Sequence, residues 1–363
     1  MSAAPTHALS VKTIASHVAV PLVIGAVMAL AYLGGFHKPD PHDLRIDVVG
    51  ASTSTQVAAQ TLQQQLGDHV SIRTVATADE AREAIEHREI AAAFEPKADT
   101  PVLYVSTAAS DPTAVTVERI FNGITIAKDQ PLKIVDVVQA DPQRDPSGQS
   151  IFFFLVALTV GSYGCGIAIA VAAGGRRIRV RLGFAAVCSV ISAAVTTAIA
   201  VWVFDALPGA QWQIFGLSIL YALATMLFAI GLHPFIGRFT TLAMVTIFVG
   251  LNFTTSGGVF APALQPKFFA VLHDFWIGAG LNEASRNLAY FPQVSSAGDI
   301  AKIIGWLVVG AALVGIVALR DRRNVVQGAV EGAVEASPAA AGRHERDQLT
   351  EEEAEELAED VVA

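Results

Sequence analysis

The sequence predicts a polytopic α-helical membrane protein with six transmembrane helices, an extracytoplasmic α/β domain between the first and second, and short re-entrant helices before the last. Three observations carry that fold class. Apolar residues fill 53% of the 363 positions, and the mean hydropathy is +0.49, above what a soluble globule usually carries. No Asp, Glu, Lys or Arg occurs in 146–175 or 182–204, and Arg238 is the only permanently charged side chain in 206–266. Between the first apolar run and the second, the pattern changes to short alternating strand-like and helix-like pieces.

A spanning helix needs about 20 mainly apolar residues, because each rises about 1.5 Å and the hydrocarbon layer is about 30 Å thick. The runs that qualify are 14–36, 150–173, 182–204, 213–235, 239–257 and 302–319. Arg238 marks the turn between the fourth and fifth. The first run could instead be a cleaved signal peptide, since Ala29-Leu30-Ala31 resembles a small-residue cleavage site; the remaining topology is the same either way.

Basic residues set the orientation. With the amino terminus in the cytoplasm, Lys12, the cluster Arg176, Arg177, Arg179 and Arg181, then Arg238, then Arg320, Arg322 and Arg323 all fall on that side, as the positive-inside rule requires. Residues 1–13 are then a cytoplasmic amino terminus, 37–149 an extracytoplasmic domain, and 320–363 a cytoplasmic tail. The expected location is a bacterial cell membrane, with the lipid bilayer as the first partner. The net charge of −9 owes much to the tail stretch "EEEAEELAED", which reads as a solvated segment with a surface helix capped by Thr350. Cys165 and Cys188 both lie in apolar runs and read as small packing residues.

Within 37–149, strands are expected at "RIDVVG", "HVSIRTV", "AAAFEP", "PVLYVSTA" and "LKIVDVVQA". Helices are expected at 53–66, over "ADEAREAIEHREI" with acidic residues at its positive end, and at 112–126. Alternation of this kind makes an α/β sandwich. No glycine-rich phosphate loop follows a strand, and no nucleophile sits at a recognisable spacing from a base, so an enzyme is not expected. His37 and His42 beside Asp40 and Asp43 read either as a metal site or as a solvated linker. No cofactor, bound metal or nucleic-acid partner is expected.

The spans hold no ionisable side chain except His17 and His233 near their cytoplasmic ends, which disfavours proton- or ion-coupled exchange. The chain also lacks the Gly-x4-Gly-Lys-Ser/Thr loop, so ATP would be handled by a separate subunit. Uncharged polar groups remain. Ser189, Ser192, Thr196 and Thr197 in the third span, and Asn252, Thr254 and Thr255 in the fifth, either pack helices together or line a path. The glycines of "GSYGCG", 161–166, read as a close helix approach or a dimer contact.

The stretch 257–292 breaks the pattern. Gly257 and Gly258 let the backbone turn, and Pro262 and Pro266 stop an immediate helix. From Lys267 the residues Phe268, Val271, Leu272, Phe275 and Trp276 share one helical face. A second piece, "LNEASRNLAYF", places Glu283 and Arg286 one turn apart, within pairing reach. Both pieces suit re-entrant helices shielded by protein, with a surface amphipathic loop as the other reading.

This order of parts resembles the ABC type-2 exporter permeases, in particular their phage infection protein-like branch. The resemblance covers most of residues 10–320 and is sharpest in "SGGVFAPALQPKFFAVLHDFWIGAGLNEASRNLAYFP", with the small-Gly-Gly start, two prolines, a P-x-F-F-x-x-x-H element containing Phe268 and Phe269, and Arg286. It implies that the outer helices cap an exit path for a hydrophobic or amphiphilic compound. It also implies a second permease subunit and a separate ATP-binding subunit. The loop "GGRRIRVR" between the second and third spans departs from the family, being too short for a coupling helix. The competing expectation is a non-transporting protein whose outer domain serves as receptor or assembly scaffold. Cysteine-accessibility labelling in intact cells checks the topology: a probe at position 274 should react from outside, and one at 176 should not.

Overall fold

The computed structural model describes residues 11–335 apart from 40 and 208, with side chains described for all of these except 11, 14, 16, 17 and 328–335. Residues 1–10, the side chain of His17, and the acidic tail from 336 with its Thr350 cap lie outside the described residues.

Five helical stretches are long and apolar enough to cross a membrane: Val18–Phe36, Ser150–Ala172, Ile178–Val203, Gln211–Thr255 and Ala297–Gln327. The fourth runs 45 residues and doubles back on itself. It comprises α7 (Gln211–Ile236), a tight 3-10 turn Gly237–Phe239, α8 (Thr240–Val245), a π-helical turn Thr246–Leu251 and α9 (Asn252–Thr255). Tyr221 and Asn252 are 31 positions apart yet hydrogen-bonded at 2.9 Å; a straight helix would separate them by about 46 Å. The expected runs 213–235 and 239–257 are thus the two arms of one helical stretch. The turn between them keeps its backbone hydrogen-bonded instead of opening into a loop.

The remaining long helices are α1 (Val11–Phe36), α5 (Ser150–Ala172), α6 (Ile178–Ala198, followed by a π-helical turn Ile199–Val203) and α12 (Ala297–Glu335). The last is far longer than 302–319. Asp299 and Lys302 pair at i, i+3 on it rather than ending it. Arg179 and Arg181 also differ from expectation: both lie in the first turns of α6, not in a loop. Arg176, Arg177 and Arg179 are exposed, whereas Arg181 is buried and donates to the carbonyls of Ala173 and Gly174, capping the end of α5.

α5 and α7 begin at one end of the bundle and α6 begins at the other, since α5 and α6 are joined by a short turn at 173–177. α12 runs alongside α7 in the same direction, with Gly231 against Leu313. Arg176–Arg181, Arg238 and Arg320–Arg323 therefore share one end. Glycine permits the close α7–α12 contact: a Cβ on Gly231 would lie 2.5 Å from Leu313 Cβ and 2.8 Å from Val314 N. Of the glycines in 161–166, only Gly166 meets a neighbour closely, at Ala229 and Met226 of α7; Gly164 faces open space.

At the opposite end sits the α/β domain. Five strands, β1 (Leu44–Val49), β2 (Val70–Val75), β3 (Ala92–Glu95), β4 (Val102–Val105) and β5 (Lys133–Asp136), form one sheet in the order β2-β1-β3-β4-β5, with only the β3–β4 pair antiparallel. Helices α2 (Thr53–Leu66), α3 (Ala78–Glu86) and α4 (Thr107–Ile126) connect them. Ser52, Thr77 and Ser106 cap those helices by accepting from the amides of Thr55, Glu80 and Ala109. Strand alternation sorts the core into two layers. Leu103 and Val105 face Val117 and Phe121 of α4, while Val102 and Tyr104 share the other face with Ala81 and Ile85 of α3.

Gly231→Leu should wedge α7 from α12 and lower the thermal midpoint of the detergent-solubilised protein, as overpacking costs typically about 1–3 kcal/mol. Gly164→Ala, in open space within α5, should not lower the midpoint; equal midpoints for the two variants would contradict this packing.

Candidate functional site

The broken stretch leaves α9 and the turn after it with backbone carbonyls that no helix continues to satisfy. Three later side chains capture them. Gln265 Nε2 donates to Thr254 O at 2.7 Å, His273 Nδ1 to Thr255 O at 2.8 Å, and Arg286 Nη2 to Gly257 O at 3.3 Å. Irregular backbone away from water is tolerable only when its polar groups are met in this way. Gly257 has φ +73°, and a Cβ there would lie 2.7 Å from Glu283 Oε1 and 2.9 Å from His273 Cε1. Only glycine fits both the conformation and the space. Gly258 abuts Phe152 of α5, Pro262 opens a 3-10 turn (Pro262–Leu264), and Pro266 is the cap residue before α10 (Lys267–His273).

α10 is three-sided. Phe269 turns inward against Gly34 of α1, and His273 is buried toward α9. Phe268, Val271 and Phe275 point outward and are 61%, 61% and 51% exposed. The apolar face read from sequence therefore splits: Phe268, Val271 and Phe275 are exposed, while Trp276 packs inside against Trp306 with ring centroids 5.3 Å apart.

α11 (Ile277–Tyr290) is buried along nearly its whole length, from Ile277 to Asn287. It carries Glu283, which is 7% exposed, and Arg286, 4% exposed. Arg286 Nη1 donates to Glu283 Oε1 at 2.6 Å, joined by Asn282 Nδ2 at 3.2 Å. The other carboxylate oxygen, Oε2, accepts from Nη2 of Arg88 at 2.6 Å. Arg88 belongs to the α/β domain, in the turn after α3, at φ +60°. Its Nη1 reaches Asn287 Oδ1 at 2.5 Å, and its guanidinium lies 5.3 Å over the Phe291 ring. From Asn287 the chain of contacts continues to Asp299 and from there to Lys302 on α12. Gln293 Nε2 donates to Glu86 O, and His42 N to Ala263 O, so the domain is held at three further points on the same face of the bundle, counting Tyr290 OH on Asp145.

Charge states follow from this geometry. Burial resists ionisation of Glu283, but Arg286 and then Arg88 outweigh it and hold the carboxyl well below the usual carboxylate range. Burial pushes the His273 imidazole down, so the ring is neutral. Its Nδ1 must carry the proton, because the Thr255 carbonyl can only accept.

The sequence-derived candidates thus divide. Gly257, Gly258, Pro262, Pro266, Phe269, Glu283 and Arg286 meet at this junction, and Thr255 contributes its carbonyl. Asn252 is one helix layer deeper, donating to Tyr221 OH, which also meets Thr159 at 2.6 Å. Ser192 and Thr196 lie on α6, away from the junction; Thr196 Oγ1 donates to Ser192 O, within its own helix. Arg88, His273, Gln265 and Asn287 join them as site residues. The Glu283–Arg286 spacing announces its pair, but Arg88 is 195 positions from its partner and one of many charged residues on amphipathic α3 and its flank. Among the described residues, no group of three or more His, Cys, Asp or Glu could hold a metal ion.

No protein family, curated protein or solved structure matches the chain.

Glu283→Ala leaves Arg286 buried without its counter-charge, so it should destabilise the solubilised protein by about 3–5 kcal/mol. The double change Glu283→Leu with Arg286→Met should cost less than Glu283→Leu alone. For pH, the folded value lies below the unfolded 4.5, so the contribution of the carboxylate is complete above 4.5 and is lost as pH falls through the folded value. The stability gap between wild type and Glu283→Gln should therefore stay constant from neutrality to pH 4.5 and close only below it; a gap that closes already above 4.5 would contradict the charge assignment.

Proposed function

We propose that this chain is a permease subunit of an ABC type-2-like exporter, moving a hydrophobic or amphiphilic compound out of a bacterial cell with energy from a separate ATP-binding subunit. The observation that carries this reading is the buried Glu283, gripped by Arg286 of its own helix and by Arg88 of the α/β domain. Ionisable groups within an apolar bundle are costly and are generally kept for function. Here they connect the α/β domain to a short helix packed against α5, α7, α9 and α12.

In this reading the two arms of the 211–255 stretch each cross the bilayer, giving six passes. The end carrying Arg176–Arg181, Arg238 and Arg320–Arg323 faces the cytoplasm, the α/β domain lies outside, and α10 and α11 form the re-entrant element. α1 and α6 are the least enclosed of the apolar helices, with 11% and 17% of their apolar windows buried, which leaves their faces for lipid or for a second permease copy. The chain itself takes no catalytic role.

A receptor or assembly scaffold is the second reading, and Arg181 favours it. By capping α5 it ties the 173–181 turn tightly, leaving no segment there to receive an ATPase. Mild crosslinking in the native membrane, purification of the full chain, and export measured with a fluorescent amphiphile separate the two. An ATP-binding subunit should copurify, and a deletion strain should retain the amphiphile. Absence of both effects, with function abolished by removing residues 52–140, would replace the exporter with the scaffold.

A further inference from the structure

A cleft of about 840 Å³ lies between the α/β domain and the segment 261–274. Its size falls within the range of small-molecule sites, about 300–1,000 Å³. One wall is the face of α10 and the turn after it that presents Lys267, Ala270, Val271 and Asp274, an i, i+3, i+4, i+7 set. The opposite wall comes from the start of β1 and the start of α4, including Arg45, Ala109, Ser110 and Thr113. Ser110 interrupts α4, with φ −171° and ψ 106°, and accepts from Thr113 N and Oγ1, leaving its own hydroxyl proton free for the cleft.

Phe275 O accepts from Nε1 of Trp306 at 2.9 Å, and Trp306 lies nine residues into α12 from its start at Ala297, about 14 Å along its axis. The outward stripe Phe268, Val271 and Phe275 thus ends beside the apolar part of α12, four residues past Lys302. Val271 belongs both to this stripe and to the cleft wall, so the cleft is continuous with the exposed apolar stripe.

The charges on the walls are of both signs. Arg88 also lines the cleft but is committed to Glu283; Arg45 and Lys267 are cationic, and Asp43, Glu89 and Asp274 are anionic. Among the described residues none of these five makes an ion pair within 4.0 Å. An apolar tail surface continuous with an uncommitted set of opposite charges is complementary to a molecule that is itself apolar at one end and carries both charges at the other.

We propose that this cleft holds one zwitterionic phospholipid drawn from the bilayer, its acyl chains along Phe268, Val271 and Phe275, its phosphate toward Arg45 and Lys267, and its ammonium toward Asp274 and Asp43. An anionic lipid would leave the carboxylates unmatched, and an uncharged diacylglycerol would leave both sets unmatched. The site stands whether or not the chain transports anything, because it is defined by occupancy rather than by movement.

Native mass spectrometry of the full chain, stripped of loosely held lipid and then offered phosphatidylethanolamine, phosphatidylglycerol or diacylglycerol, tests it. Wild type should retain one phosphatidylethanolamine in preference to the other two. Ala270→Trp fills the cleft and should reduce retention about tenfold or more, as should Ala109→Trp from the opposite wall should the first variant melt early. The pair Lys267→Ala with Asp274→Ala should abolish the preference among headgroups, while Val190→Trp on the exposed face of α6 should change nothing. Equal retention of all three lipids by wild type, or undiminished retention by a stably folded cleft-filling variant, would overturn the proposal. Because no export is measured, failure here is separable from failure of the exporter reading.

Discussion

A carboxylate taken out of water must be compensated, and the compensation around Glu283 organises this protein. Two guanidiniums converge on its two oxygens, one from three residues along the same helix and one from a separate domain. Neither cation could be buried alone without large cost, and neither can move without exposing the carboxylate's charge to an apolar surrounding. Ala263 packs against the hydrophobic core of the α/β domain, and this ionic contact adds a directional tie between domain and bundle. Arg88 adopts a left-handed backbone conformation to make the contact, a local cost that its two hydrogen bonds and its stacking on Phe291 offset.

The same site resolves why an apolar helix ends at two glycines and two prolines. Stopping a helix inside a bundle exposes carbonyls that water would otherwise satisfy. Gln265, His273 and Arg286 take over those carbonyls, each from a different point of the segment that follows. The break and the segment after it are therefore one unit: the break supplies acceptors, and Gln265, α10 and α11 supply donors. Glu283 then anchors Arg286, so the backbone repair and the ionic junction share a side chain.

Packing in the bundle follows different rules. α5, α7 and α12 approach through small residues, and the α7–α12 contact is limited by the backbone itself at Gly231. Buried hydroxyls mostly bond within their own helix, as Ser218 does to Ile214 O and Thr225 to Tyr221 O, so they need no partner across the interface. Thr159, Tyr221 and Asn252 bond across instead, joining three helices through one polar contact point.

Hydropathy and charge by themselves determined where the apolar helices run, that an α/β domain separates the first from the second, the span of α2 and the place of each strand; the expected fourth and fifth strands run past the observed ends of β4 and β5 at Val105 and Asp136, and α4 begins at Thr107 rather than at 112. They also located the chain break, because glycine and proline act on the backbone locally, and they anticipated the Glu283–Arg286 pair, because its partners lie one helical turn apart. They did not distinguish a turn within one helical stretch from a loop between two, since Gly237–Phe239 keeps helical hydrogen bonding while reversing direction. They placed Arg181 in a loop, because a basic residue beside glycines reads the same whether it is solvated or capping a helix. Only the tertiary structure decided that Arg88, His273, Gln265 and Asn287 belong to one site. Their partners lie from 11 to 199 positions away, and no periodic or local signal encodes a contact made by the folding of one domain onto another.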